Sequence, residues 1–100
     1  MTTDRELTLH AARAIGWTRT DNGRERVSVG KFYPLLDDGD CARLEAAARI
    51  TLSWGENGVT ATVWKGPGHF VHFADHGGDR NAARRRASVM TAAELGRCRS

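Results

Sequence analysis

Histidine, cysteine and arginine are the residues of this chain whose types and spacing could support chemistry. His69, His72 and His76 stand close enough in sequence to suggest metal ligation. On a strand, however, positions 69 and 72 point to opposite faces and cannot easily share an ion. Neither Cys41 nor Cys98 stands at zinc-ligand spacing, so no metal site is expected. Cys41 could form a nucleophile pair with a histidine. It falls on the apolar side of a short helix, where a thiol is usually inert packing, although a helix N-terminus can lower a thiol's pKa. There is no glycine-rich phosphate loop, serine elbow or pair of carboxylates in a cleft. No catalytic residue and no cofactor are expected, and the chain reads as a non-enzyme.

The Arg84-Arg85-Arg86 triplet could bind an anion. At a hundred degrees per residue, Val89, Ala82, Ala93, Met90, Ala83 and Ala87 form one apolar arc with Arg86 in its middle. Arg86 is therefore expected to face inward. Its partner would be a carboxylate of the Asp37, Asp38, Asp40 cluster or Glu94, with Asp38 and Asp40 the favoured structural ion pair. An anion pocket is the functional alternative. Arg84 and Arg85 lie outside the arc and, with Arg80 and Arg99, would carry any nucleic-acid contact. Trp64 among Thr60 and Thr62 is the remaining oddity. It would either cover a sheet edge or anchor a partner.

These residues need elements to hold them. Thr3-x-x-Glu6 fits a capping box ahead of Leu7, Ala11, Ala14 and Ile15 at helical spacing, and Gly16 supplies the stop. This predicts a helix over about residues 4–15. Asp21-Asn22-Gly23 separates two short runs, the second carrying Val27 and Val29, and reads as a hairpin. Asp37-Asp38-Gly39-Asp40 opens a short helix with Cys41, Leu44 and Ala48 on one face. Ile50, Leu52 and Trp54 then alternate with polar residues, as do Val59, Ala61 and Val63. An Asn57-Gly58 turn would pair 54 with 61 and 52 with 63, placing both apolar sets against the helices. A third strand covers His69 to Ala74 after the Gly66-Pro67-Gly68 turn. Asp79 begins a last helix running to about Arg97.

The whole makes an α+β layered sandwich. An antiparallel sheet of about four to five strands packs with N-terminal, middle and C-terminal helices. Its 100 residues form a single domain over 1–100, because two halves would be too small to bury useful cores. A core of this size leaves a net stability of about 5 kcal/mol, little for an elaborate buried active site. The formal charge is +3, and Arg dominates the cations because Lys occurs only at 31 and 65. Twelve acidic residues dilute the field, so nucleic acid is not the leading partner. The N-terminal residues show no secretion signal, and no apolar run approaches the roughly 18 residues of a membrane helix. The expected location is the cytoplasm, with reduced thiols and no membrane partner.

Gly66-Pro67-x-His69-x-x-x-Phe73 matches a string of double-stranded RNA-binding domains, but that fold needs two further strands before its last helix. Two other blocks carry a broader likeness. Tyr33-Pro-Leu-Leu-Asp-Asp-Gly-Asp-Cys-Ala-Arg-Leu44 is followed by His76-Gly-Gly-Asp79, Ala82-Ala83-Arg84-Arg85-Arg86-Ala87 and Ala92-Ala93-Glu94-Leu95-Gly96. With the leading helix Glu6 to Ile15, their order and spacing resemble the phage ABA sandwich domain family across nearly the whole chain. The resemblance implies a layered α+β fold, a phage or prophage origin and no catalytic residues. Small non-enzymatic phage proteins commonly bind and block a host protein. The leading expectation is therefore an accessory protein that binds a host protein in the host cytosol, with the anti-CRISPR or other anti-defence kind as a candidate class. The alternatives are a nucleic-acid-binding accessory protein using the Arg-rich helix and a small-ligand-binding oligomer. A homodimer is compatible with each.

Overall fold

Residues 3–28, 31–65 and 68–98 are described by the structure, a computed structural model. Helix α1 (Asp4–Ala14) starts where the Thr3 hydroxyl accepts the Glu6 N–H at 3.2 Å, as the capping-box spacing predicts. Gly16, at φ +75°, turns the chain out of it. Strands β1 (Thr18–Asp21) and β2 (Arg24–Val27) form an antiparallel hairpin. Helix α2 (Asp38–Ala48) is capped by Asp37, which accepts from the amides of Gly39 and Asp40. Strands β3 (Thr51–Trp54), β4 (Gly58–Lys65) and β5 (Gly68–Asp75) form a second sheet in the order β3-β4-β5. Helix α3 (Arg80–Arg97) is capped by Asp79.

The fold is α+β, with five strands among the described residues, but they do not join one sheet. The hairpin packs on α1 instead. Val27 and Trp17 join the cluster of Leu7, Ala11 and Phe32, and Trp17 meets the Phe32 ring edge-on at 5.3 Å. Arg13 on α1 donates through Nε to both Glu25 carboxylate oxygens at 2.9 and 3.0 Å. The second run was expected to continue past Val27, and Val29 lies outside the described residues, as do Gly66 and Pro67.

Two register findings correct the sequence reading. Trp54 pairs with Val59 and Leu52 with Ala61, two residues away from the expected partners. Gly55 N–H donates to the Gly58 carbonyl at 2.8 Å, so the turn falls at Glu56-Asn57. A shift of two preserves the facing, because side chains alternate with period two. Val59, Ala61 and Val63 are buried as expected, whereas Trp54 sits half exposed at the sheet's end, stacked on His76 at 5.9 Å. The positive φ values that an Asn-Gly hairpin turn requires occur at Asn22 (+52°) and Gly23 (+79°). Gly58 serves another need. A Cβ there would lie 2.5 Å from Phe73 Cε2 and closer still to the Ala74 carbonyl oxygen.

Helix α3 is the centre of the molecule. Ala83 and Ala87 pack on Val59 and Ala61, Val89, Ala92 and Ala93 join the α1 and Leu44 cluster, and Leu95 meets Ala14 and Val63. Its buried side spans most of its circumference, and Arg86 and Arg97 lie in the exposed remainder. The expectation of an inward Arg86 is thus overturned. Alanines on nearly every side made several arcs look equally apolar. The arc that packs also carries Ser88 and Thr91, which are fully buried. Thr91 satisfies its hydroxyl against the carbonyls of Ala87 and Ala61 at 2.9 and 3.1 Å.

Acid will loosen the α1 corner. Burial, with Arg13 and Arg97 adding, holds the His10 ring below its ordinary 6.5. Hydrogen bonds from Arg13, then from Thr18, hold the Glu25 carboxyl below its ordinary 4.5 against opposing burial. In both cases the unfolded chain takes up its proton at a higher pH than the folded one. Both contributions are therefore complete above the unfolded value and are lost as pH falls towards the folded one. The urea midpoint should be level from pH 8 to 7, fall below 6.5 through His10, and fall again below 4.5 through Glu25. A His10→Asn variant that keeps the full fall between pH 7 and 5 would exonerate His10.

Candidate functional site

The outer face of the three-stranded sheet is built by alternation. Thr51 and Ser53 of β3, Thr60, Thr62 and Trp64 of β4, and His69, Val71 and Phe73 of β5 point away from α3. Cross-strand neighbours are Thr60 with Phe73, Thr62 with Val71, and Trp64 with His69, whose rings lie 4.8 Å apart. Three large apolar side chains stay exposed on this one face: Trp64 at 66%, Phe73 at 59% and Val71 at 45%. Asp75 is the one charged residue that the alternation places there among the described side chains.

Trp64, Thr60 and Thr62, expected together from the sequence, do share that face. Arg80, Arg84 and Arg85, the other residues expected to touch a partner, do not join them. Arg80 begins α3, which packs on the opposite side of the sheet. Arg84 donates to Glu45 on α2 through Nε at 3.0 and 3.2 Å and through Nη2 at 2.5 Å. Arg85 donates to the Leu35 carbonyl at 3.0 Å and to Asp38 at 2.6 Å. The predicted tie between the helix and the aspartate loop therefore exists, but Arg85 makes it. Arg86 is 3.8 Å from Asp4, and Asp40 instead pairs with Arg43 at 2.6 Å and accepts the Tyr33 N–H. Val71 and Phe73 were missed because a strand with both faces partly apolar does not declare which face is wet. Their alternation with the inward His72 was the available signal.

Cys41 is fully buried, 3.6 Å from a Glu45 oxygen that also accepts from Ser88 at 2.6 Å. Burial first, and the Glu45 charge second, push its thiol up to about 12. The thiolate a nucleophile needs is suppressed, and the helix N-terminus does not prevail over burial. The histidines are dispersed as the strand parity predicts. His69 lies tilted against Trp64, His72 pairs with Glu94 on the inner side, and His76 contacts the Gly55 carbonyl at 3.0 Å. Among the described residues no three His, Cys, Asp or Glu side chains gather as a metal site.

No family model, curated protein or solved structure matches this chain. The surface itself therefore carries the functional reading. A second surface feature is a cleft of about 770 Å³ between α1, β2 and the segment 32–36. It is lined by Leu9, Phe32, Tyr33 and Leu36 together with Arg5 and Arg26. Leu36 is 80% exposed at its mouth. Among the described residues, no helix is long and apolar enough to cross a membrane.

Proposed function

We propose that this chain is a non-enzymatic protein-binding accessory protein whose outer sheet face docks on a protein partner. The observation that carries the reading is the grouping of Trp64, Val71 and Phe73, exposed on one sheet face with hydroxyls between them. Exposed aromatic side chains amid small polar neighbours are the usual anchors of protein interfaces, where burial of a Trp or Phe dominates the binding energy. The near absence of charge favours a protein over a polyanion, which would require cations along the contact. The engagement of Arg84 and Arg85 with Glu45, Asp38 and Leu35 further weakens the nucleic-acid alternative. The resemblance to the phage ABA sandwich family supplies the kind of partner: a host protein in the host cytosol, with components of antiviral defence the leading class.

The deciding experiment is a nuclease-treated pull-down from bacterial host lysate, run in parallel with a Trp64→Ser/Phe73→Ser variant. Both positions are exposed, so the variant should keep its fold, which circular dichroism would verify. The expected result is a retained protein that survives nuclease and is lost with the variant. Recovery that disappears with nuclease, or that the variant leaves unchanged, sinks the reading. Light scattering adds another arm: a dimer that the double variant dissolves would assign the face to self-association instead.

A further inference from the structure

The hairpin β1–β2 has an open edge, and its register identifies the main-chain groups that face outward. Asn22-Gly23 is a two-residue turn, so Asp21 and Arg24 form its closing pair. Ser28 N–H donates to the Trp17 carbonyl at 2.8 Å, on the same alternation. The pairs that exchange hydrogen bonds within the hairpin are therefore 21 with 24, 19 with 26 and 17 with 28. The N–H and C=O groups of Glu25 and Val27 point away from β1. Among the described residues those groups have no hydrogen-bond partner. They open onto the 770 Å³ cleft, which touches Arg24–Val27 in succession and no residue of β1.

The chemistry around this edge is one-sided. Leu9 and Phe32 line the inner side of the cleft. Arg5, Arg24 and Arg26 are exposed cations with no ion pair among the described residues. The acidic groups nearby are already engaged: Glu25 by Arg13 and Thr18, and Asp4 by Arg86 at 3.8 Å. An unpaired strand edge beside an apolar wall and free arginines fits an extended chain whose residues alternate in character.

We propose that the open edge of β2 accepts an extended segment of a partner protein as an added strand, its alternate residues apolar towards Leu9 and Phe32 and acidic towards Arg24 and Arg26. A small amphiphilic anion could satisfy the arginines and the apolar wall. It would leave the outward N–H and C=O groups of Glu25 and Val27 unpaired, and only another main chain offers donors and acceptors in that sequence. The site lies on the hairpin, away from the outer face of the three-stranded sheet, and shares with the reading above only that the partner is a protein.

The probe is a synthetic peptide of alternating valine and glutamate, about six residues long to match a typical strand. It is titrated into the full chain labelled with ¹⁵N, and fluorescence anisotropy gives the affinity. The amides of Glu25 and Val27 should shift most and exchange more slowly with solvent. Affinity should fall about tenfold or more in Arg24→Glu/Arg26→Glu, and similarly for a valine–lysine peptide. N-methylation of alternate peptide amides should abolish binding. The Trp64→Ser/Phe73→Ser variant should bind as the parent does, which separates failure here from failure of the sheet-face reading. The absence of shifts at millimolar peptide would overturn the proposal. So would shifts centred on β4 and β5, or an N-methylated peptide that binds as well as the unmodified one.

Discussion

Replacing Gly96 with alanine should remove most of this protein's stability. In an exposed helix that exchange stabilises by about 1 kcal/mol, because glycine has the greater freedom to lose. Here α1 crosses α3 at Gly96 with backbone against backbone. An added Cβ would stand 2.7 Å from the His10 carbonyl carbon, closer to its oxygen, and 3.2 Å from the Ala14 nitrogen. Main-chain atoms cannot swing aside as a flexible side chain can. The helices must separate, and the contacts of Ala11, Ala92 and Ala93 loosen with them. Overpacking of a core typically costs about 1–3 kcal/mol, and a clash with backbone on both sides belongs at the upper end or beyond. Against a total of about 5 kcal/mol, the loss should lower the urea midpoint by about 2 M. Propensity and packing predict opposite signs, so a midpoint that holds or rises would mean that the helices do not cross so closely.

The second large effect is expected at Glu45, the shared acceptor between α2 and α3. Its carboxylate receives Arg84, Ser88 and the Cys41 thiol. Glu45→Ala leaves a guanidinium whose side chain is only 22% exposed and a fully buried hydroxyl without their partner. Breaking a fully buried pair costs about 3–5 kcal/mol, and the remaining solvent access here lowers the expectation to about 2 kcal/mol. Removing both charges should be gentler. A Glu45→Leu/Arg84→Met variant should recover a large part of the loss, because apolar side chains of similar volume often replace a buried ion pair at little cost. The double-mutant cycle should show coupling of about 1–2 kcal/mol between the two positions. Additive losses would mean that each side chain stabilises the protein on its own.

Much of the local structure was legible from neighbouring residues alone. Thr3, Asp37 and Asp79 accept amide protons from their own first turns, so each helix start needed only residues up to three positions away. Alternation placed Val59, Ala61 and Val63 inward, and placed Trp64 outward with Thr60 and Thr62, even with the register displaced by two. The parity of a strand depends on the residue count and not on where the turn falls. The same parity kept His69 and His72 apart.

What the amino-acid order by itself determined is therefore the local part: the α+β class, the three helix starts and the facing of the strands. The tertiary structure alone decided which side of α3 is buried, because alanine is apolar on every arc and does not name its neighbour. It decided that Arg85 and Arg84, and not Arg86, reach α2, because that depends on where a helix from the middle of the chain comes to rest. It also separated the hairpin from the three-stranded sheet. Arg13–Glu25 and the Trp17–Phe32 contact draw the hairpin to α1, and these join residues that no local pattern pairs. The exposed face around Trp64 combines both kinds of information. Its inward and outward alternation is local, but that no other part of the described chain covers it is a property of the whole packing.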